Sequence, residues 1–166
     1  PTTANFCIMA STCAPILMDK RIGIVPVAAY FFVFYFGIVA DITPPVALAA
    51  YAGSAIAKSN PMKTGLNATK LAIAAFIVPY IFAFNPAMLF IDADVVQVVI
   101  IIVTSLVGLT GVAGGLEGYM VTNMNPIQRI LAVVGGLCLI IPGTVTDLAG
   151  IAIVGASVVW QLADKK

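Results

Sequence analysis

Apolar residues form long runs along this chain, and the few charged residues fall between the runs. Uncharged apolar stretches cover residues 71–91 and 95–116, and two shorter ones cover 130–146 and 148–163. About 20 consecutive apolar residues suffice for a helix to cross a bilayer, and the two later runs are near the lower limit. The pattern therefore predicts an all-α integral membrane protein, built as a polytopic helix bundle.

Residues 22–57 form a longer apolar segment that is interrupted in its middle. A continuous helix over 26–57 would be about 48 Å long, whereas the hydrocarbon core of a bilayer is about 30 Å thick. The interruption is Asp41-Ile42-Thr43-Pro44-Pro45. Consecutive prolines remove backbone donors and clash with the preceding turn, so we expect one helix to end here and another to start at Val46. The segment is predicted to be a discontinuous transmembrane helix.

The first 18 residues are uncharged and too short for an ordinary crossing, which suits one arm of a re-entrant hairpin. Thr2, Thr3 and Asn5 would then lie at the hairpin tip and meet the interrupted helix. An ordinary helix start explains the same residues, because Thr and Asn are good N-caps.

Composition supports a membrane protein and argues against several other classes. Hydrophobic residues make up 61% of the chain and charged residues 9%, against roughly 25% charged in a soluble domain. The chain contains no histidine, the usual metal ligand and general base, and it has no basic patch for nucleic acid. Cys7, Cys13 and Cys138 have no metal-ligand spacing, and Asp41 and Asp147 lack an aspartyl-protease context. We therefore expect no enzymatic activity, no organic cofactor and no nucleic-acid partner.

The basic residues predict an orientation. The positive-inside rule places connectors rich in Lys and Arg in the cytoplasm. The residues expected on that side are Lys58, Lys63, Lys70, Arg129, Lys165 and Lys166, and those expected opposite are Asp92, Asp94 and Asp147. The turn at 19–21 is an exception to this pattern.

The interruption at 41–45 carries the chemistry expected of an ion or substrate site. A carboxylate at membrane depth is costly unless it faces a cavity, a cation or a partner. Asp41 is therefore expected to be an ion ligand, a polar support for the loop, or the partner in a structural interhelical hydrogen bond or ion pair with a residue outside this chain. Carbonyls freed before the prolines, around Thr43 and Pro44, can coordinate Na⁺, and we expect them to be better candidates for the ion than the Asp41 carboxylate. The N-terminus of the restarting helix can receive a carboxylate.

Two other patterns have simpler interpretations. Gly111 and Gly115 form a GxxxG pair, which indicates close helix packing. The aromatic run over 30–36 indicates packing or lipid contact rather than a ligand platform.

Several stretches resemble one transporter family. These are PTTANFCIMASTCAPILM, FVFYFGIVADITPPVALAAYAGSAIAKSNPMKTG and KLAIAAFIVPYIFAFNPAML. They are similar to the large membrane subunit of TRAP transporters, the tripartite ATP-independent periplasmic family. The tail, LEGYM followed by RILAVVGGLCLIIPGTVTDLAGIAI, resembles the fused 4TM/12TM permeases that work with TAXI-type binding proteins.

The resemblance implies an elevator-type transporter with two inverted repeats, of which this chain would hold the second, as the C-terminal part of a larger permease. Residues 1–94 would then belong to the transport domain, with a hairpin arm at 1–18, a broken helix at 22–57 and a helix at 71–91. Residues 95–166 would supply the C-terminal membrane helices at 95–116, 130–146 and 148–163.

The function implied is Na⁺-coupled, binding-protein-dependent import of organic anions such as dicarboxylates or 2-oxo acids. The ion and substrate residues would be Thr2, Thr3, Asn5, Asp41, Ile42, Thr43, Pro44 and Pro45, with Asp41, Thr43 and Pro44 as Na⁺ ligands. The partners would be a periplasmic substrate-binding protein and the rest of the permease, including a part like the small subunit, in the inner membrane of a bacterium. An alternative is a structural or assembly segment of a permease without an ion site of its own.

Overall fold

The computed structural model describes residues 2–164 and divides into two compact units, Pro1–Leu89 and Phe90–Lys166. Every regular element among the described residues is helical, which confirms the all-α class. Three segments are long and apolar enough to cross a membrane: Pro61–Phe84, Val95–Glu117 and Thr144–Ala163. Pro1, Lys165 and Lys166, which entered the hairpin and orientation predictions, lie outside the described residues.

The first unit contains five α-helices and two short 3-10 turns in its described part. The helices are α1 (Thr2–Leu17), α2 (Pro26–Val39), α3 (Leu48–Ile56), α4 (Pro61–Leu71) and α5 (Ile73–Phe84), and the 3-10 turns are Ala40–Ile42 and Pro86–Leu89. Helix α2 packs between α1 and α5, and α3 packs against α4. The 16 residues of α1 give a length of about 24 Å, which is shorter than a bilayer core.

Aromatic side chains join α2 to α5. Phe32 meets Tyr80 edge-on with ring centroids 5.1 Å apart, and Phe31 lies 5.5 Å from Phe82. Such pairs add to the free energy of burial. Packing is therefore the role of much of the aromatic run, as the sequence indicated.

Two helices begin earlier than the apolar runs suggest, each at an Asn-Pro pair. Asn60 caps α4 by accepting a hydrogen bond from the Lys63 amide at 3.1 Å, so much of the expected 58–70 connector is helical. At Asn125 and Pro126, the Gln128 side chain accepts a hydrogen bond from the Asn125 amide at 3.0 Å. Asparagine at the N-cap and proline at the first helical position both favour a helix start.

The other boundaries also differ from the apolar runs. Helix α5 ends at Phe84 rather than near residue 91, because Pro86 continues the chain as a 3-10 turn. The runs at 130–146 and 148–163 correspond to α7 (Pro126–Cys138) and α8 (Thr144–Asp164). The chain between them turns at Pro142 and Gly143, and Asp147 lies in the first turn of α8.

The second unit is built on α6 (Val95–Glu117), α7 and α8, with α7 packed against both neighbours. Glycines bring α6 and α7 into backbone contact. A Cβ atom at Gly108 would lie 2.7 Å from the Gly136 carbonyl oxygen, and one at Gly115 would lie 2.7 Å from the Arg129 carbonyl oxygen. A Cβ at Gly111 would similarly lie 3.1 Å from the Ala132 carbonyl oxygen. This confirms close packing as the role of the GxxxG pair.

A buried glutamine fixes one end of the second unit. Gln161 on α8 is fully buried, and its Oε1 accepts hydrogen bonds from the amides of Val121 and Thr122 at 3.0 and 3.3 Å. The end of α8 thus lies beside the α6–α7 loop, near Arg129 at the start of α7. Asp94, the N-cap of α6, is at the opposite end. The side of the membrane that each end faces stays a prediction.

Candidate functional site

Local hydrogen bonds and one left-handed residue shape the interruption after α2. The Thr43 hydroxyl donates to the Val39 carbonyl at 2.7 Å, and the Thr43 amide donates to the Ala40 carbonyl at 3.3 Å. Ala47 adopts a left-handed conformation with φ of 35°, and α3 begins at Leu48. The helix therefore restarts two residues later than the predicted Val46, because Ala47 turns the chain before helical geometry resumes.

The carbonyl groups of the interruption differ in their availability. The Ile42 carbonyl accepts a hydrogen bond from the Thr69 hydroxyl at 3.3 Å. The Thr43 carbonyl accepts one from the Ala47 amide at 3.0 Å, and the Pro45 carbonyl accepts one from the Tyr51 hydroxyl at 3.2 Å. The Asp41 carbonyl would normally be bonded by the amide three or four residues later, but both positions are proline. Asp41 therefore offers a carbonyl without a helical donor in addition to its carboxylate.

The start of α1 meets this interruption directly. The Thr2 hydroxyl donates to Asp41 Oδ2 at 3.3 Å, and both residues are half-buried. Gly37 on α2 faces the start of α1, since a Cβ there would lie in ordinary contact, 3.9 Å from Asn5 Cβ and 4.0 Å from the Thr2 carbonyl oxygen. Thr2 and Asn5 thus face the last turns of α2.

Thr3, like Thr2, lines an apolar groove. The groove has a volume of about 460 Å³ and is lined by Thr2, Thr3, Phe6, Tyr30, Phe31 and Phe34. Tyr30, Phe31 and Phe34 are partly exposed. The aromatic run therefore has an open side beside the two threonines as well as the side that packs on α5.

Helix α4 supports the interruption from another direction. The Thr69 hydroxyl bonds the Ile42 carbonyl as well as the Gly65 carbonyl, at 3.3 and 3.0 Å. Gly65 lies so close to Pro44 that a Cβ would be 2.8 Å from Pro44 Cγ. Sequence reasoning did not identify Thr69 or Gly65. The chain offers no local signal for them, because the contact with Ile42 spans 27 positions.

The donor set at the interruption consists of oxygen atoms. It includes the Asp41 carboxylate and carbonyl and the hydroxyl groups of Thr2 and Thr43. Within residues 2–164, no cluster of three or more His, Cys, Asp or Glu side chains is arranged for a metal ion. Oxygen atoms of unwound backbone and of helix ends are the ligands that membrane transporters use for alkali cations.

These features define a class of protein before any comparison is made. The chain is a helical membrane protein in which an apolar helix is interrupted by prolines, and a second short helix brings polar atoms to the interruption. Irregular backbone of this kind is tolerated at membrane depth only where protein or a cavity surrounds it, and it is typical of secondary transporters.

The comparison with protein families assigns the chain more closely. The model of the tripartite ATP-independent periplasmic transporter family, DctM component, matches residues 1–96 of the 166. The chain therefore belongs to this family of transport permeases. No curated protein and no solved structure matches the chain. All eight residues predicted for the site lie within the matched part, whereas most of the second unit lies outside it.

Proposed function

We propose that this chain serves in the membrane component of a sodium-coupled importer of organic anions, with the ion and substrate site at the α2–α3 interruption. The observation that carries the proposal is the hydrogen bond from Thr2 to Asp41, which joins the start of α1 to the interruption in the family-matched part of the chain. A carboxylate at this depth needs a compensating partner. One hydroxyl compensates it only partly, and a bound cation would complete the compensation.

Sodium is the proposed coupling ion, with Asp41 as its principal ligand. Asp41 offers two oxygen ligands, its carboxylate and its backbone carbonyl, and the Thr43 hydroxyl lies within the same turn. The sequence favoured the backbone of Thr43 and Pro44 for this role. Because the Ala47 amide already donates to the Thr43 carbonyl, we now prefer Asp41, with the Pro44 carbonyl as the remaining backbone candidate.

The substrate class proposed is an organic anion, such as a dicarboxylate or a 2-oxo acid. Helix α3 begins at Leu48 beside the interruption, and the amides of its first turn provide a positive helix end for a carboxylate. Thr3 and the apolar groove next to it suit the carbon skeleton of such a ligand. A periplasmic substrate-binding protein, of the TAXI type by the resemblance of the tail, would deliver the substrate at the bacterial inner membrane.

The experiment is sodium-driven uptake into proteoliposomes that contain the complete permease and its binding protein. Asp41→Asn keeps the shape of the side chain but removes its charge, and Thr43→Ala removes the hydroxyl. We expect Asp41→Asn to lower sodium-dependent uptake at least about tenfold, since a charge-assisted contact contributes about 1.5–3 kcal/mol. Thr43→Ala should have a smaller effect. Asp19→Asn, in the exposed turn after α1, is the matched control and should leave uptake unchanged.

Two other outcomes of this experiment would contradict the proposed site. Unchanged uptake and unchanged sodium dependence in Asp41→Asn would refute the site. Loss of the assembled permease, measured by size-exclusion chromatography, would favour the alternative in which this chain is a structural or assembly segment and Asp41 is an interhelical hydrogen-bond acceptor.

A further inference from the structure

Arg129 occupies an unusual position in the second unit, against the end of a neighbouring helix. It lies in the first turns of α7, where its Nε donates to the Gly115 carbonyl at 2.9 Å and its Nη2 donates to the Leu116 carbonyl at 2.7 Å. Gly118, with a left-handed φ of 82°, leaves room for the guanidinium: a Cβ there would lie 3.3 Å from Arg129 Cζ. The guanidinium is thus held in a fixed place at the C-terminal end of α6.

The charge of Arg129 is only partly compensated. Among the side chains that the structure describes, no carboxylate forms an ion pair with it. The C-terminal end of α6 provides a partial negative charge of roughly half an elementary charge. The residue is exposed, so its remaining positive charge is available to an anion from outside the unit.

An apolar groove of about 390 Å³ leads to this guanidinium. The groove is lined by Gly115, Leu116, Pro126, Arg129, Ile130, Val133 and Val134. Leu116, Ile130 and Val134 are 40%, 64% and 46% exposed, so they offer a hydrocarbon surface rather than a packed core. The surface combines one cation at its edge with an apolar channel between α6 and α7.

We propose that this groove binds an anionic phospholipid, with the phosphate on Arg129 and an acyl chain along Ile130 and Val134. The positive charge of Arg129 and the apolar lining of the groove together favour an anionic lipid as the occupant. A soluble anion would leave the apolar groove unused, and an uncharged hydrocarbon segment would leave the guanidinium unpaired. Basic pockets between transmembrane helices bind anionic lipid headgroups in this way. The inference does not depend on the transport site in the first unit.

The test is native mass spectrometry of the complete permease in detergent, titrated with phosphatidylglycerol or with phosphatidylcholine of the same acyl chains. We expect preferential binding of phosphatidylglycerol. Arg129→Gln retains a hydrogen-bond donor for the helix carbonyls but removes the charge, and it should weaken phosphatidylglycerol binding about fivefold while leaving phosphatidylcholine unaffected. Arg21→Gln, the other arginine of the chain, is the matched control and should bind as the parent does.

A second variant tests the groove separately from the charge. Val134→Phe places a larger side chain in the groove and keeps Arg129, so it should weaken the binding of both lipids. Equal binding of phosphatidylglycerol by the parent and either variant would overturn the proposal, as would the absence of lipid binding by the complete permease. Displacement of the lipid by inorganic phosphate at about 10 mM would identify a free-anion site instead. If Arg129→Gln does not fold, the Val134→Phe result decides.

Discussion

The two units of this chain have similarly apolar sequences, but different contacts hold their helices together. In the first unit, the α2–α3 interruption exposes backbone carbonyls, and the hydroxyls of Tyr51 on α3 and Thr69 on α4 donate to them. The Thr2 hydroxyl on α1 donates instead to the Asp41 carboxylate. In the second unit, α6 is continuous over 23 residues, and glycines bring its backbone into contact with that of α7. The family match covers the first arrangement and little of the second.

The difference shows what interrupts and what stabilises a helix in an apolar chain. Prolines remove donors, so the surrounding helices must provide hydroxyl groups or a ligand must provide a cation. Glycines remove side chains and allow backbones to approach, which stabilises the pair through close packing. We therefore expect substitutions in the second unit to change stability, and substitutions at the interruption to change ion dependence.

The largest effect is expected for a methyl group added between α6 and α7. A Cβ at Gly136 would lie 2.5 Å from the Gly108 carbonyl oxygen and 2.8 Å from the Val112 amide nitrogen, and neither backbone atom can move freely. Gly136→Ala should lower the free energy of unfolding by about 2–3 kcal/mol, measured by thermal unfolding in detergent. Gly155→Ala, on α8 where a Cβ has no neighbour within 4 Å, is the matched control. Equal stability of the two variants would contradict glycine-mediated packing.

A smaller effect, on transport rather than on stability, is expected at the support of the interruption. Gly65→Ala places a methyl group against the Pro44 ring, 2.8 Å from Cγ, so the loop must shift to accommodate it. Sodium-dependent uptake should fall severalfold, because misplacement of ligands weakens binding. Unfolding should change little, since alanine favours helix formation by roughly 0.5–1 kcal/mol relative to glycine.

The control for this variant is Gly53→Ala on α3, where a Cβ would meet nothing within 4 Å. It gains the same helix propensity without approaching Pro44. If both variants transport equally well, α4 does not position the interruption.

The sequence predicted the interruption and the long helix α6 well, because prolines and uncharged runs determine them locally. The starts of α4 and α7 were missed, although Asn60-Pro61 and Asn125-Pro126 are helix-start signals that apolar periodicity overlooks. For the candidate site, the approach of Thr2 to Asp41 was anticipated.

Other contacts at the site were not predictable from the sequence. The bond from Thr69 to Ile42 depends on how α4 folds back on the interruption. An isolated threonine in a helix has no pattern that indicates such a partner, because its hydroxyl commonly bonds the carbonyl four residues earlier in its own helix, as it also does here to Gly65.

The central claim is that Thr2 and Asp41 act together in one sodium-dependent site, and a double-mutant cycle tests it most directly. Sodium-dependent uptake by the complete permease would be measured for the parent, Thr2→Val, Asp41→Asn and the double variant. We predict that the effects are coupled by about 1 kcal/mol, so that Thr2→Val costs about fivefold in the parent and almost nothing once Asp41 is replaced. Independent effects that multiply, or sodium dependence that is unchanged in every variant, would contradict the account.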